Sequence, residues 1–172
     1  LIDSKYFQRL KGIKQLGLAD MIFPGAVHTR FNHSLGVCYI AKKVAEQLQL
    51  ATSDKYAVMV AALLHDVGHG CFSHTFEKLF INGTQEIKHD KDWLMQFIKR
   101  FHEEGCCDDA VLSQAETILM KTTPHAYLSQ IVSSQLDVDR FDYLLRDSHF
   151  CGVSYGKFDL NWLILAMQVN SY

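Results

Sequence analysis

The sequence lacks any apolar run long enough to cross a bilayer. Its longest apolar stretches, residues 57–64 and 160–169, are well short of the roughly 20 residues that a spanning helix requires. Prolines are also scarce, since Pro24 and Pro124 are the only two in 172 residues, and little therefore interrupts helix formation. We expect no transmembrane segment and no membrane partner.

An excess of basic residues is missing as well. The chain has 17 Lys and Arg against 19 Asp and Glu, which gives a formal net charge of −2. A chain with this charge has no general attraction to nucleic-acid backbones or to anionic membranes. The charge therefore does not indicate nucleic acid as a partner, although it leaves room for a local basic pocket.

The five cysteines are odd in number and never follow CxxC spacing, so neither a disulfide framework nor a thiolate zinc site is indicated. This cysteine usage favours a cytoplasmic protein, or a nuclear one in a eukaryote. Because a chain of 172 residues can bury a core without a structural metal, any metal is expected to be functional.

Apolar residues recur at three- and four-residue spacing through most of the chain, which is the pattern of amphipathic helices. Residues 32–50 are the clearest case, with Leu35, Ile40 and Val44 along one stripe and charged residues opposite. Asn32 is the predicted N-cap of this helix, because its side chain can accept hydrogen bonds from the first free backbone N–H groups.

Residues 58–64 are apolar almost all round, which predicts a helix in the middle of a bundle, capped by Ser53 or Asp54 and ending near Val67. Further helices are predicted over 88–104, 108–121, 126–134, 138–147 and 160–172.

These helices predict an all-α fold, with one domain over residues 1–172. The aromatic side chains expected in its core are those of Phe7, Phe23, Phe31 and Tyr39. We expect the chain to be a fragment of a longer helical protein, truncated on its C-terminal side.

A polar pair, His65 and Asp66, stands at the end of the most apolar helix and is followed by Val67 and Gly68. Burying a carboxylate beside an imidazole costs several kcal/mol unless both are paired or bind a cation. The pair is therefore either a salt-bridged helix cap or a pair of metal ligands. If the helix unwinds at Gly68, both side chains can converge on one ion.

Two more polar residues stand beside apolar stripes: His33 near the start of the first amphipathic helix and Asp139 at the start of a later one. With His65 and Asp66 they make a set of two nitrogen and two oxygen donors, which suits iron, manganese, zinc or nickel. A metal held this way activates water near neutral pH and offsets phosphate charge. The alternative is that the four residues are ordinary helix caps and surface ion pairs.

The order His33, His65-Asp66, Asp139 resembles the H…HD…D signature of the HD superfamily of metal-dependent phosphohydrolases. Within it, the chain resembles the dNTP triphosphohydrolase branch, which includes sterile-alpha-motif and HD-domain proteins and bacterial dGTPase-like enzymes. The resemblance covers about residues 7–152 and is carried by FQRL at 7–10, IKQLG at 13–17, FPGA at 23–26, TRFNHSLGV at 29–37, LHDVGHG at 64–70 and DVDRFDY at 137–143.

The resemblance implies an all-α HD-domain bundle that hydrolyses a deoxynucleoside triphosphate to deoxynucleoside and inorganic triphosphate and forms a homo-oligomer. It assigns a divalent transition metal, with Mg²⁺ as an additional ion, to His33, His65, Asp66 and Asp139. Arg30 is the implied triphosphate clamp. Substrate contacts are implied at Arg30, Gln15, Leu16, Arg140, Tyr143 and Asp147.

The resemblance also places His69, His74 and His89 on the triphosphate side of the pocket. His74 is the implied general acid for the leaving 5′-oxygen, oriented by Glu77 where the family has an aspartate. The alternative for His74 and His89 is a helix cap or a solvated side chain. Four other histidines have no supporting pattern and are expected to be structural or exposed: His28, His102, His125 and His149.

Two other functions stay open at this point. HD domains also cleave nucleoside monophosphates, cyclic nucleotides and guanosine tetraphosphate, and the pocket rather than the four ligands decides among them. The other alternative is a non-catalytic module that binds nucleotide or nucleic acid.

Overall fold

The structure of the protein is a computed structural model that describes residues 1–71 and 89–169, with the backbone alone for residues 89–90. Within these ranges the secondary structure is helical, and the pairing between Lys14 and Thr29 is an isolated bridge rather than part of a strand. The predicted all-α fold is confirmed. The α-helices are α1 (Lys5–Gln8), α2 (Arg30–Gln47), α3 (Thr52–Leu64), α4 (His89–Glu103), α5 (Asp109–Leu119), α6 (Ala126–Val132), α7 (Val138–Cys151) and α8 (Leu160–Leu165).

The start of α2 is fixed by a capping box. Thr29 has extended backbone angles and its hydroxyl accepts from the Asn32 backbone N–H, while the Asn32 side chain accepts from the Thr29 N–H. The prediction that Asn32 caps the helix was therefore wrong, since Asn32 occupies the third helical position. The earlier start places Arg30 and His33 together in the first turn of α2.

Replacing Thr29 by alanine is expected to destabilise the fold by about 1 kcal/mol, because the capping hydroxyl is lost while the backbone path is kept. Urea unfolding followed by circular dichroism measures the change. Thr52→Ala is the matched control, because Thr52 is exposed at the start of α3 and the N-cap of that helix makes no side-chain hydrogen bond. An equal loss of stability in both variants would contradict the capping role.

The second predicted cap was also wrong. Helix α3 begins after Ala51 without a side-chain cap, and the Asp54 carboxylate instead accepts from the Gln114 side-chain amide at 2.6 Å. The helix ends at Leu64, so His65 is already its C-cap residue and Asp66 lies in the turn that follows. Both polar residues therefore lie at the C-terminal end of α3, just after its last helical residue.

Helix α3 lies between two apolar clusters and contributes to both. One cluster contains Ala61 of α3 together with Val44 of α2 and Phe141 of α7. The other contains Leu64 of α3 together with Phe7 of α1, which is fully buried. Because α3 is packed on both sides, the turn at its C-terminal end is held at a defined place between α2 and α7.

Some predicted boundaries and core positions differ from the structure. Helix α7 continues to Cys151, where Gly152 ends it with a φ of 70° in the left-handed region. Helix α8 ends at Leu165, before the predicted end. Phe23 and Tyr39 are exposed rather than buried, with relative exposures of 40% and 58%. In the part of the chain that the structure describes, no helix combines the length and apolarity needed to cross a bilayer.

Candidate metal centre

The four predicted metal ligands lie at the ends of three helices that meet at one place. The first turn of α2 supplies His33, the C-terminal end of α3 supplies His65 and the turn after it supplies Asp66, and the first turn of α7 supplies Asp139. These residues are up to 106 positions apart in sequence, from His33 to Asp139. The packing of α2 against α3 and α7 is therefore what assembles them.

Three of the four predicted ligands form a close cluster. The Nε2 atom of His33 lies 3.0 Å from Oδ1 of Asp139 and 3.2 Å from Nε2 of His65, and the His65 to Asp139 separation is 3.7 Å. These ligand atoms of His33, His65 and Asp139 all lie within 4.8 Å of one another. They form a candidate metal site of two nitrogen donors and one oxygen donor.

Asp66 borders this cluster with its two carboxylate oxygens. Its Oδ1 lies 3.5 Å from Nε2 of His65, and its Oδ2 lies 3.8 Å from Nε2 of His33. Oδ2 also accepts from Nη1 of Arg30, and Oδ1 lies 3.3 Å from Nε2 of His69. Asp66 is thus adjacent to the cluster, but Arg30 already holds one of its oxygens.

Both imidazoles present Nε2 to the cluster because their Nδ1 atoms are engaged elsewhere. Nδ1 of His65 lies 2.7 Å from the Ala62 carbonyl, which can only accept, so Nδ1 carries the proton. Nδ1 of His33 lies 2.8 Å from a carboxylate oxygen of Asp142. In each neutral ring the lone pair is therefore on Nε2, the atom that faces the site.

The geometry fits one divalent ion. Ligand bonds of about 2.0–2.2 Å at tetrahedral or octahedral angles place neighbouring donor atoms roughly 3.0–3.5 Å apart. The separations of 3.0 and 3.2 Å match this spacing, and the separation of 3.7 Å between His65 and Asp139 is slightly longer. Two Nε2 lone pairs that face each other at 3.2 Å repel unless a proton or a cation lies between them, so the donor set favours a bound cation.

The pKa shifts reflect the same clustering of charge. Burial opposes a charged imidazole, but the carboxylates of Asp139 and Asp142 raise the pKa of His33 to about 9. Burial likewise opposes a charged carboxyl, yet the cations of His65 and Arg30 lower the pKa of Asp66 to about 2. Without a metal, protons on the imidazoles balance the carboxylates, and these protons compete with a metal for Nε2.

Two of the predicted phosphate-side residues lie beside the cluster. Arg30 is buried, shares the first turn of α2 with His33 and forms an ion pair with Asp66. Arg30 and His33 both approach Oδ2 of Asp66, so the two side chains lie on the same face of α2. His69 is also close to Asp66, and its carbonyl accepts from Nη1 of Arg9 at 2.8 Å.

Other predicted substrate residues make contacts away from the metal ligands. The Gln15 backbone N–H donates to the His28 carbonyl at 3.0 Å, while its side-chain oxygen is buried without a hydrogen-bond partner among the described residues. Leu16 is partly buried next to it. On α7, Nη1 of Arg140 lies 3.5 Å from the Tyr143 hydroxyl, and both face solvent at least in part. The predictions for His74, Glu77 and the His89 side chain fall outside the described residues.

Two residues near the cluster were missed by the sequence interpretation. Asp142 and Arg146 follow Asp139 on α7, and Asp142 holds Nδ1 of His33. His28 was expected to be structural or exposed, and the structural alternative fits, because His28 is almost fully buried with Nε2 2.7 Å from Oδ1 of Asp147. A carboxylate one helical turn after Asp139 was the available signal for Asp142, whereas no local signal joins His28 to a residue 119 positions away.

The chain is similar to proteins of a known family. Residues 30–147, which include Arg30 and every residue of the cluster, match the HD domain family. The chain belongs to the HD-domain family, whose members bind divalent metal ions.

The chain is also similar to particular members. It is 38% identical to the uncharacterized protein YwfO of Bacillus subtilis (strain 168), covering 98% of this chain and 40% of that protein. It is 35% identical to the deoxynucleoside triphosphate triphosphohydrolase SAMHD1 of Homo sapiens, covering 98% of this chain and 33% of that enzyme. The chain therefore spans two fifths or less of these relatives.

Solved structures show the same fold. A phosphohydrolase from Bacteroides thetaiotaomicron VPI-5482 superimposes with a TM-score of 0.87 at 38% identity, over 99% of this chain and 42% of that one. A hypothetical protein from Aquifex aeolicus superimposes with a TM-score of 0.82 at 38% identity, over 99% of this chain and 46% of that one.

Proposed function

We propose that the protein is a metal-dependent phosphohydrolase that converts deoxynucleoside triphosphates to deoxynucleosides and inorganic triphosphate. The observation that carries this proposal is the cluster of His33, His65 and Asp139, which offers three donor atoms within 4.8 Å of one another. The 35% identity to a human deoxynucleoside triphosphate triphosphohydrolase supports the choice of substrate.

The residues of the cluster would hold a divalent transition metal such as iron, manganese, zinc or nickel, with Asp66 as a fourth ligand. When bound, such an ion supplies an activated water and offsets phosphate charge. Burial of His33 and Asp66 keeps bulk water away from the reacting groups and strengthens every charge interaction there.

In the proposed reaction, water attacks the α-phosphorus and the bond from that phosphorus to the 5′-oxygen breaks. Arg30 and His69 lie beside Asp66, where they can donate to the phosphate oxygens. His74 or His89 would give a proton to the departing 5′-oxygen, with Glu77 orienting His74. The unpartnered side-chain oxygen of Gln15 would accept from the sugar hydroxyl.

Further parts of the proposal concern the pocket and the assembly. Leu16 would pack against the sugar, while Arg140, Tyr143 and Asp147 would contact phosphate and sugar from α7. We also propose a homo-oligomer that works in the cytoplasm. Leu18, Met21 and Ile22, which expose 59–79% of their surface on one short segment, are apolar groups that such an assembly could cover.

Product analysis in ¹⁸O-labelled water tests the proposal. Full-length protein with dGTP or dATP and Mn²⁺ is expected to release deoxynucleoside and inorganic triphosphate, which ion-exchange chromatography separates. Attack at the α-phosphorus places the ¹⁸O in the triphosphate. Release of pyrophosphate, or of monophosphate, would contradict this reaction. Nucleotide binding without turnover under Mn²⁺, Fe²⁺, Zn²⁺ and Ni²⁺ would instead favour the non-catalytic module.

A further inference from the structure

Asp142 occupies a position that the metal-binding residues alone do not explain. It lies on α7 one turn after Asp139, is 5% exposed, and points a carboxylate oxygen at Nδ1 of His33, 2.8 Å away. This contact is on the side of the imidazole ring opposite Nε2, the atom in the cluster. Asp142 therefore contacts His33 on the ring nitrogen that faces away from the ion site, and this contact does not make Asp142 a ligand.

Arg146 holds Asp142 in place from the next turn of α7. Its Nε donates to Oδ2 of Asp142 at 2.7 Å and its Nη2 donates to Oδ1 at 2.8 Å, which is a bidentate pair. With the hydrogen bond from His33, the buried carboxylate receives three donors. These donors offset the cost of burying its charge.

Gly36 provides the space for this pair. It lies on α2 one turn after His33, and a Cβ atom built there would overlap both Oδ1 of Asp142 and Nη2 of Arg146. Any larger residue at this position would push the carboxylate away from α2. The backbone of α2 and the Asp142–Arg146 pair of α7 are thus fitted to each other behind His33.

The contact has a chemical consequence for His33. A neutral histidine can carry its proton on either ring nitrogen, and only the form with the proton on Nδ1 leaves a lone pair on Nε2 for a metal. A carboxylate at Nδ1 selects that form, fixes the rotation of the ring and makes Nε2 a stronger donor. His65 achieves the same with a backbone carbonyl, which no side-chain substitution removes.

We propose that Asp142, clamped by Arg146 and accommodated by Gly36, is the positioning residue that sets the tautomer and orientation of His33 for metal binding. This inference rests on the metal site of the proposed function. It assigns a role in that function to three residues that are not themselves ligands: Gly36, Asp142 and Arg146.

Metal affinity tests the inference directly. In the full-length protein, the dissociation constant for Mn²⁺ is measured from the electron paramagnetic resonance signal of the free ion. Asp142→Ala and Gly36→Ala are each expected to weaken Mn²⁺ binding by about 10–100-fold, the usual effect of losing a group that orients a histidine ligand. Asp142→Asn keeps the shape and one acceptor, so its loss is expected to be smaller, near 10-fold.

Asp109→Asn is the matched control, because Asp109 also pairs with a histidine Nδ1, that of His102 at 2.9 Å, but on the surface. It should bind Mn²⁺ as the unmodified protein does. Circular dichroism without metal identifies variants that fail to fold, and Asp142→Asn and Gly36→Ala carry the test if Asp142→Ala is one of them.

The outcomes separate this inference from the proposed function. If the unmodified protein binds no Mn²⁺, the metal site and this inference are both overturned. If it binds Mn²⁺ and the folded variants at positions 36 and 142 bind within twofold of it, only the role of Asp142 is overturned. A loss of affinity in these variants with full affinity in Asp109→Asn supports the role.

Discussion

His65→Ala is expected to remove stoichiometric metal and to reduce nucleotide hydrolysis by on the order of 10³-fold. The substitution deletes an Nε2 atom that lies 3.2 Å from that of His33 and 3.7 Å from Oδ1 of Asp139, so one of three clustered donors is lost. A metal contributes several kcal/mol of transition-state stabilisation in such sites, and each 1.36 kcal/mol corresponds to about tenfold in rate. Elemental analysis and product chromatography measure the two effects.

His102→Ala is the control for this substitution. His102 also pairs with an aspartate, but its partner Asp109 is 78% exposed, and the two residues belong to α4 and α5, which supply none of the cluster residues. The same chemical change at His102 should leave metal content and turnover intact. Retention of one metal per chain in His65→Ala, with a native circular dichroism spectrum, would contradict the assignment of His65 as a ligand.

The candidate metal cluster could be predicted because its members stand at the ends of apolar helices. A charged or polar residue there has to be capped, paired or bound to a cation, which makes His33, His65 and Asp139 visible in the sequence. The structure brings these three together within 4.8 Å. Asp66 was predicted as a fourth ligand, and in the structure it also forms an ion pair with Arg30. The spacing of the motif gave no sign of this ion pair.

The residues that position His33, namely Gly36, Asp142 and Arg146, could not be predicted in the same way. In the sequence, Asp142 and Arg146 form an i, i+4 pair of opposite charge, which is indistinguishable from an ordinary solvated helix face. Their role depends on the close approach of α2, which in turn depends on the missing side chain of Gly36. Such a fit between distant segments leaves no periodic signal in either of them.

The first residues of helices were also hard to predict from the sequence, because they too depend on contacts outside the helix. Thr29 and Asn32 are both good N-cap residues, and the backbone geometry before α2 rather than residue type decides between them. Helix α3 starts without a side-chain cap because its apolar faces are buried in two clusters, so tertiary packing replaces the local signal. Helix interiors could therefore be predicted more closely than their ends.

Arg30→Met is expected to destabilise the metal-free protein by about 3 kcal/mol. Arg30 and Asp66 form a buried ion pair, with side-chain exposures of 9% each, and removing one partner of such a pair costs about 3–5 kcal/mol. The lower end applies because the imidazoles of His65 and His69 also face Asp66. Methionine keeps most of the side-chain volume, so the lost charge rather than a cavity sets the effect.

Added Mn²⁺ separates the two roles of Arg30. A cation beside Asp66 replaces the charge of Arg30, so saturating Mn²⁺ is expected to restore most of the stability of Arg30→Met in urea unfolding. Turnover of dGTP should nevertheless stay about 100-fold low, because a donor to the phosphate oxygens is still missing. Arg30→Lys keeps the charge but not the planar donor pair, so its turnover of dGTP should lie between that of the unmodified protein and that of Arg30→Met. Recovery of turnover together with stability would show that Arg30 supports Asp66 alone and does not hold the substrate.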